Sequence, residues 1–173
     1  MKYLKFNEEV LFAIDPVVKI SSEDINQLKQ VANEVPRKRS RLCAHKDISS
    51  SLHEMVIIHK SDTYIRPHKH VGKSESFHLI DGEVVLVLFE DYGDLREVVQ
   101  MGDYRSGKIF YYRIDEPIFH SILIKSDFVV FHESTEGPFI RKDTIYADWS
   151  PEEGDVDGIY QFQKKLNQQI AEL

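Results

Sequence analysis

His68 and His70 are separated by one residue, Glu75 follows after four more, and Gly82 after a further six. Side chains alternate faces along an extended strand, so imidazoles at i and i+2 point the same way and can grip one ion. Glu75 leads the next extended run, on a face it shares with Phe77 and Leu79. A carboxylate on such an apolar face is costly unless it is paired or bound to a metal. His120 sits in a third run, in phase with Ile122 and Ile124. Alone, it reads as a core histidine satisfied by a backbone carbonyl. Beside the other three it completes a set of three imidazoles and one carboxylate. That set suits one divalent transition metal ion (Fe, Mn, Co, Ni, Cu or Zn), with positions left for water or substrate. An unmetallated hydrogen-bond network is the alternative.

A second group could handle a substrate. Between Arg37 and His45 the chain carries Arg37, Lys38, Arg39 and Arg41. Such a run is usually a solvated loop. If it is extended, Arg39, Arg41, Cys43 and His45 share one face and form a cationic strip for phosphate or carboxylate. Lys73 lies inside the histidine motif, so Arg39, Arg41, His45 and Lys73 are the candidate substrate-binding residues. Tyr111, Tyr112 and His53 are candidate proton carriers, although at least one tyrosine of an adjacent pair is expected to pack in the core. Cys43 is expected to pack or line a pocket rather than act as a nucleophile.

The elements that must position these groups are short. Strands are predicted at Tyr3–Phe6 and Val10–Ala13. A helix follows, capped by Ser21 or Ser22, carrying Ile25, Leu28, Ala32 and Val35 at helical spacing and stopped by Pro36. From His53 to Glu133 the pattern is a series of strands with turns every eight to twelve residues, which indicates an antiparallel sandwich or barrel. Asp81-Gly82 reads as a hairpin turn folding Glu83–Phe89 back along the Glu75 strand. Further strands are predicted at Tyr64–His70, Leu95–Met101, Lys108–Ile114, His120–Lys125 and Phe128–Glu133. Ile159, Phe162, Leu166 and Ile170 mark a C-terminal helix.

The 173 residues fit one domain, read as 1–36 (strands and helix), 37–151 (the β core) and 152–173 (the C-terminal helix). The net charge of −7 argues against a general nucleic-acid binder. The single cysteine, Cys43, allows no internal disulfide and fits a reducing compartment. Acids interrupt the N-terminus before any signal-peptide core, and no run approaches a membrane span. The expectation is a cytoplasmic protein, free of membrane and nucleic acid, that binds a small anionic or sugar ligand.

The spacing of His68, His70, Glu75 and Gly82 resembles the first cupin motif, with Asp62 in place of its leading glycine. The second motif matches at His120 alone, where Asp115, Pro117 and Ile124 replace its proline, glycine and asparagine. Arg39-Ser40-Arg41-Leu42-Cys43-Ala44-His45, Leu52–Met55, Pro67–Phe77, Gly137-Pro138-Phe139 and Trp149-Ser150-Pro151 together resemble the WbuC-type cupin metalloproteins. The resemblance implies a cupin jelly roll (a double-stranded β-helix) with flanking helices, a bound divalent metal, and a role in O-antigen-like surface polysaccharide biosynthesis. Cupins commonly pair, so a homodimer is expected. The chemistry is then a metal-dependent isomerase, epimerase or oxygenase reaction on a sugar or sugar nucleotide. The competing classes are a metal-free epimerase and a non-catalytic sugar-binding module, since one fold hosts many functions.

Overall fold

The computed structural model describes residues 2–173, which form two β-sheets packed face to face with one helix on the outside of each. The larger sheet holds β1 (Tyr3–Lys5), β2 (Val10–Ala13), β3 (Arg39–Cys43), β4 (Leu52–Lys60), β6 (Glu75–Asp81), β9 (Tyr111–Ile114) and β11 (Phe128–Glu136). Their spatial order is β1-β2-β3-β4-β11-β6-β9. The smaller sheet holds β5 (His68–His70), β7 (Glu83–Phe89), β8 (Leu95–Gly102), β10 (Phe119–Ile124) and β12 (Thr144–Tyr146), in the order β12-β5-β10-β7-β8. Among the described residues, every pairing between these strands is antiparallel except β2 with β3. This is the expected jelly roll.

The alternation of apolar residues explains the layers. Met55, Ile57, Phe77, Leu79 and Phe131 of the larger sheet meet Val84, Leu86, Met101 and Ile122 of the smaller one. The opposite faces of the same strands are also apolar, so each sheet needs a second cover. α1 (Ser22–Glu34) supplies one, seating Leu28 and Ala32 over Leu42, Val56, Ile58 and Val130. A reciprocal capping box starts it: Asp24 Oδ2 accepts from the Ser21 amide at 2.8 Å, and Ser21 Oγ accepts from the Asp24 amide at 3.4 Å. α2 (Val156–Ala171) covers the other sheet, packing Phe162, Leu166 and Ile170 against Val85, Val87, Phe119 and Trp149.

One predicted connection is overturned. β6 and β7 do not form a hairpin, because they belong to opposite sheets. β6 pairs with β11 and β9, and β7 pairs with β10 and β8. β7 is apolar on both faces, so it is satisfied only at an interior position under α2, and the tight turn becomes a corner between sheets. Gly82, at φ +94°, makes that corner. A Cβ there would collide with the Phe128 carbonyl oxygen.

Two predicted strands are also shorter than expected, and one strand is new. The Tyr64–His70 run is a strand only over His68–His70, and the Lys108–Ile114 run only over Tyr111–Ile114. β12 pairs with β5 and was not anticipated. Its Thr144-Ile145-Tyr146 is too short to show a period.

Candidate metal centre

His68 and His70 project from β5, and His120 projects from β10, directly paired with His68. Glu75 reaches them from the first position of β6, in the opposite sheet. One ligand atom from each of the four lies within 4.8 Å of all the others. Glu75 and His120 are buried, at 6% and 4% exposure. His70 Nε2 lies 3.0 Å from Glu75 Oε2, and His120 Nε2 lies 3.6 Å from Glu75 Oε1.

The outer nitrogens are all tied. His68 Nδ1 donates to the Arg66 carbonyl at 2.8 Å and His120 Nδ1 to the Ile118 carbonyl at 3.0 Å. A carbonyl only accepts, so those protons sit on Nδ1 and the Nε2 lone pairs face inward. His70 Nδ1 meets Thr144 Oγ1 at 3.1 Å. Metal-bound histidines are commonly oriented in this way. His120 Nε2 is buried with no hydrogen-bond partner among the described residues. An orphaned imidazole nitrogen aimed at a carboxylate and two further imidazoles fits a divalent transition ion well.

The electrostatics agree. Burial alone would push the Glu75 carboxyl up, but the facing His120 and His70 imidazoles hold it well below the usual range. Burial would lower His120, and Glu75 overcomes that and raises it. Burial, helped by His120, drives His68 down to about 3. Tyr112 donates to Glu75 Oε1 at 3.2 Å, and burial together with the charge of Glu75 pushes its phenol well above the ordinary value.

The cluster opens on a cavity of about 300 Å³ between the sheets. Arg39, Arg41, Lys73, His53 and Tyr112 all line it. Arg39 is ion-paired with Glu9 at 3.2 Å and lies 3.6 Å from Glu153, while Arg41 touches Met55 Sδ at 3.7 Å. Lys73 donates to the Pro138 carbonyl at 2.6 Å and lies 3.5 Å from Asp143. His53 is buried, which lowers it and keeps it neutral.

Two candidates fall outside the cavity. His45 lies behind the wall, stacked on His53 at 4.0 Å, with Nδ1 against the backbone of Glu54. Tyr111 is 49% exposed, because the alternation of β9 turns Tyr112 inward and its neighbour outward. Cys43 packs in the core, and burial pushes its thiol up to about 11, so it is not a thiolate at neutral pH.

Glu133 and His59 line the cavity and were not anticipated. A signal existed for Glu133, which follows Val129 and Phe131 at alternate positions, the same pattern that marked Glu75. His59 ends an apolar run and looks like its polar boundary.

A family profile described as a domain of unknown function (DUF6016) matches residues 20–101. No curated protein matches the chain. Among solved structures, it superposes on protein SO0799 from Shewanella oneidensis with a TM-score of 0.50 at 10% identity, covering 61% of this chain and 72% of that one. CapF, solved with the inhibitor 3-isopropenyl-tropolone, gives 0.52 at 21% identity over 65% of this chain and 32% of its own. Oxalate oxidase, solved with the substrate analogue glycolate, gives 0.50 at 10% identity over 65% and 57%. These neighbours are cupin-fold proteins. The fold is a cupin. The chain spans about a third of CapF and rather more than half of oxalate oxidase. The histidine cluster lies between the chain's two sheets.

Proposed function

We infer that this protein is a metal-dependent cupin enzyme acting on a small oxygen-rich substrate. The substrate class we assign is a sugar or sugar nucleotide, in surface polysaccharide biosynthesis of the WbuC type. The convergence of His68, His70, Glu75 and His120 at one end of a cavity carries the reading. An ion held there would supply Lewis acidity toward a carbonyl or adjacent hydroxyls. The remaining roles belong to the chain. Tyr112 fixes the Glu75 carboxylate, neutral His53 stands ready to accept a proton, and Phe77 and Phe131 exclude water beside the cluster. Tropolone and glycolate each carry two adjacent oxygens, and both are ligands of cupin-fold neighbours. That supports a substrate with vicinal oxygens.

One observation favours a binding module instead. The Tyr112 hydroxyl is committed to Glu75 and its phenol is pushed well up, so it is a poor proton carrier at neutral pH. Elemental analysis of the native protein, with a sugar-nucleotide panel, separates the readings. Stoichiometric metal with turnover supports the enzyme, and metal with saturable binding but no turnover supports the module. Absence of metal after mild purification sinks both. We place the protein in the cytoplasm as a homodimer. In support, no helix among the described residues is long and apolar enough to cross a membrane, and the eight-residue β8 is an edge strand of the smaller sheet that a partner would cover. Sedimentation at monomer size overturns the dimer.

A further inference from the structure

Most cations around the cavity are already engaged. Arg39 is paired with Glu9, and Lys73 holds the Pro138 carbonyl. Arg66 donates to Ser150 Oγ at 3.2 Å and to the Ala147 carbonyl at 3.1 Å. Arg41 differs. Its one polar contact is Met55 Sδ at 3.7 Å, and no carboxylate among the described residues lies within ion-pair distance of it. A thioether is a weak acceptor, so the guanidinium keeps nearly all of its five N–H donors free of protein partners at the cavity wall. Those donors are open to an anion that enters the cavity.

A second residue marks where that anion sits. Cys43, Met55 and Glu133 are in register across β3, β4 and β11. Arg41 stands one step along the same inward face and touches Met55, the residue paired with Glu133 on the next strand. Glu133 lines the cavity and makes no ion pair or hydrogen bond through its side chain among the described residues. Burial, then the charge of Glu75, pushes its carboxyl up to about 8. Glu133 therefore gives up its proton less readily than an ordinary carboxyl. Its carboxyl and the Arg41 guanidinium both line the cavity, and neither makes an ion pair among the described residues.

We propose that Arg41 and Glu133 form a seat for the oxyanion group, a phosphate ester or a carboxylate, of the ligand whose other oxygens face the His68–His70–Glu75–His120 cluster. The seat deepens the metal-dependent reading and depends on it only for that second half. It stands on β3 and β11 of the larger sheet, whereas three of the four cluster residues stand on the smaller one. A ligand that fills both spans the cavity. The planar fork of arginine matches two oxygens of a phosphate or carboxylate at once, which a lysine cannot do.

The test titrates chelator-treated protein with inorganic phosphate and, separately, with acetate, following ligand line widths by NMR. Saturable binding is expected, and the tighter probe names the ester or the acid. Arg41→Gln and Arg41→Lys should each weaken binding at least tenfold, about 1.4 kcal/mol. Arg41→Lys keeps the charge and carries the test if the glutamine variant fails to fold. Glu133→Gln retains a donor and should bind within threefold of the parent, whereas Glu133→Leu should lose more than fivefold. Lys164→Gln, on the exposed face of α2 and away from the cavity, should change binding less than twofold. Unchanged binding in both Arg41 variants overturns the seat. So does loss of binding in Arg39→Gln or His70→Ala instead, or absence of saturable binding of both probes to the parent. The titration is run without metal, so a protein that proves to hold no ion still reports on the seat.

Discussion

The Tyr112 hydroxyl donates to Glu75 Oε1 across neighbouring strands, at 3.2 Å, while the Tyr112 ring stacks on Phe77 with 5.1 Å between centroids. Glu75 is thus clamped on one oxygen by a phenol and faced on the other by His70. Tyr112→Phe keeps the stacking and removes the clamp. Outer partners of metal ligands typically matter by ten- to a hundredfold, so metal affinity should fall about tenfold while the fold persists. Competition with a chromophoric chelator reads this directly, and an unchanged affinity assigns Tyr112 to packing alone.

The four-residue cluster makes an ordered prediction. His70→Ala should abolish stoichiometric metal, measured by elemental analysis after gel filtration. His120→Ala should weaken binding at least tenfold, about 1.4 kcal/mol. Both should remain folded, since the core between the sheets does not include the cluster. If His120→Ala binds as tightly as the parent, the orphaned Nε2 is an ordinary buried imidazole.

His59 makes stability depend on pH. It is buried against Phe131, and burial, then Arg41 and Arg37, drives it down to about 3. Between its unfolded value near 6.5 and that folded value, the unfolded chain binds a proton that the folded chain refuses. The contribution is therefore fully present above pH 6.5 and is lost as the pH falls toward 3, with a limiting slope of about 1.4 kcal/mol per pH unit. His59→Phe removes this slope. Urea denaturation at pH 7 and pH 5 should show the parent losing more stability than the variant, and equal losses would show that His59 titrates normally.

Gly82 and Gly72 separate strain from crowding. Both have positive φ, +94° and +70°, but a Cβ at Gly72 meets open space. Gly82→Ala should cost at least about 2 kcal/mol, and Gly72→Ala about 1. Chemical denaturation measures both, and equal costs would mean that the corner can relax around a methyl group.

The strand series, both helices and the cluster were legible because each rests on local periodicity. Alternation exposed His68, His70 and Glu75, and the i, i+3, i+4 spacing exposed both helices. What failed depends on distant partners. Asp81-Gly82 carries a turn signal that says nothing about which sheet the next strand joins, and the two apolar faces of β7 held the better clue. Arg39, Arg41 and Lys73 looked equivalent because the sequence does not show that Glu9 and Glu153 occupy the first and the Pro138 carbonyl the last. His45 fell behind the wall because the strand ends at Cys43, so the alternation that aligned it with Arg41 stops one step short.

Glu75 belongs to one sheet and the three imidazoles to the other. An ion held by all four would rivet the two halves of the sandwich and fix their spacing. A ligand spanning the same gap presses on that spacing from within. Affinity for the ion and affinity for the ligand are then two readings of one mechanical coordinate, and each must change the other by the same factor.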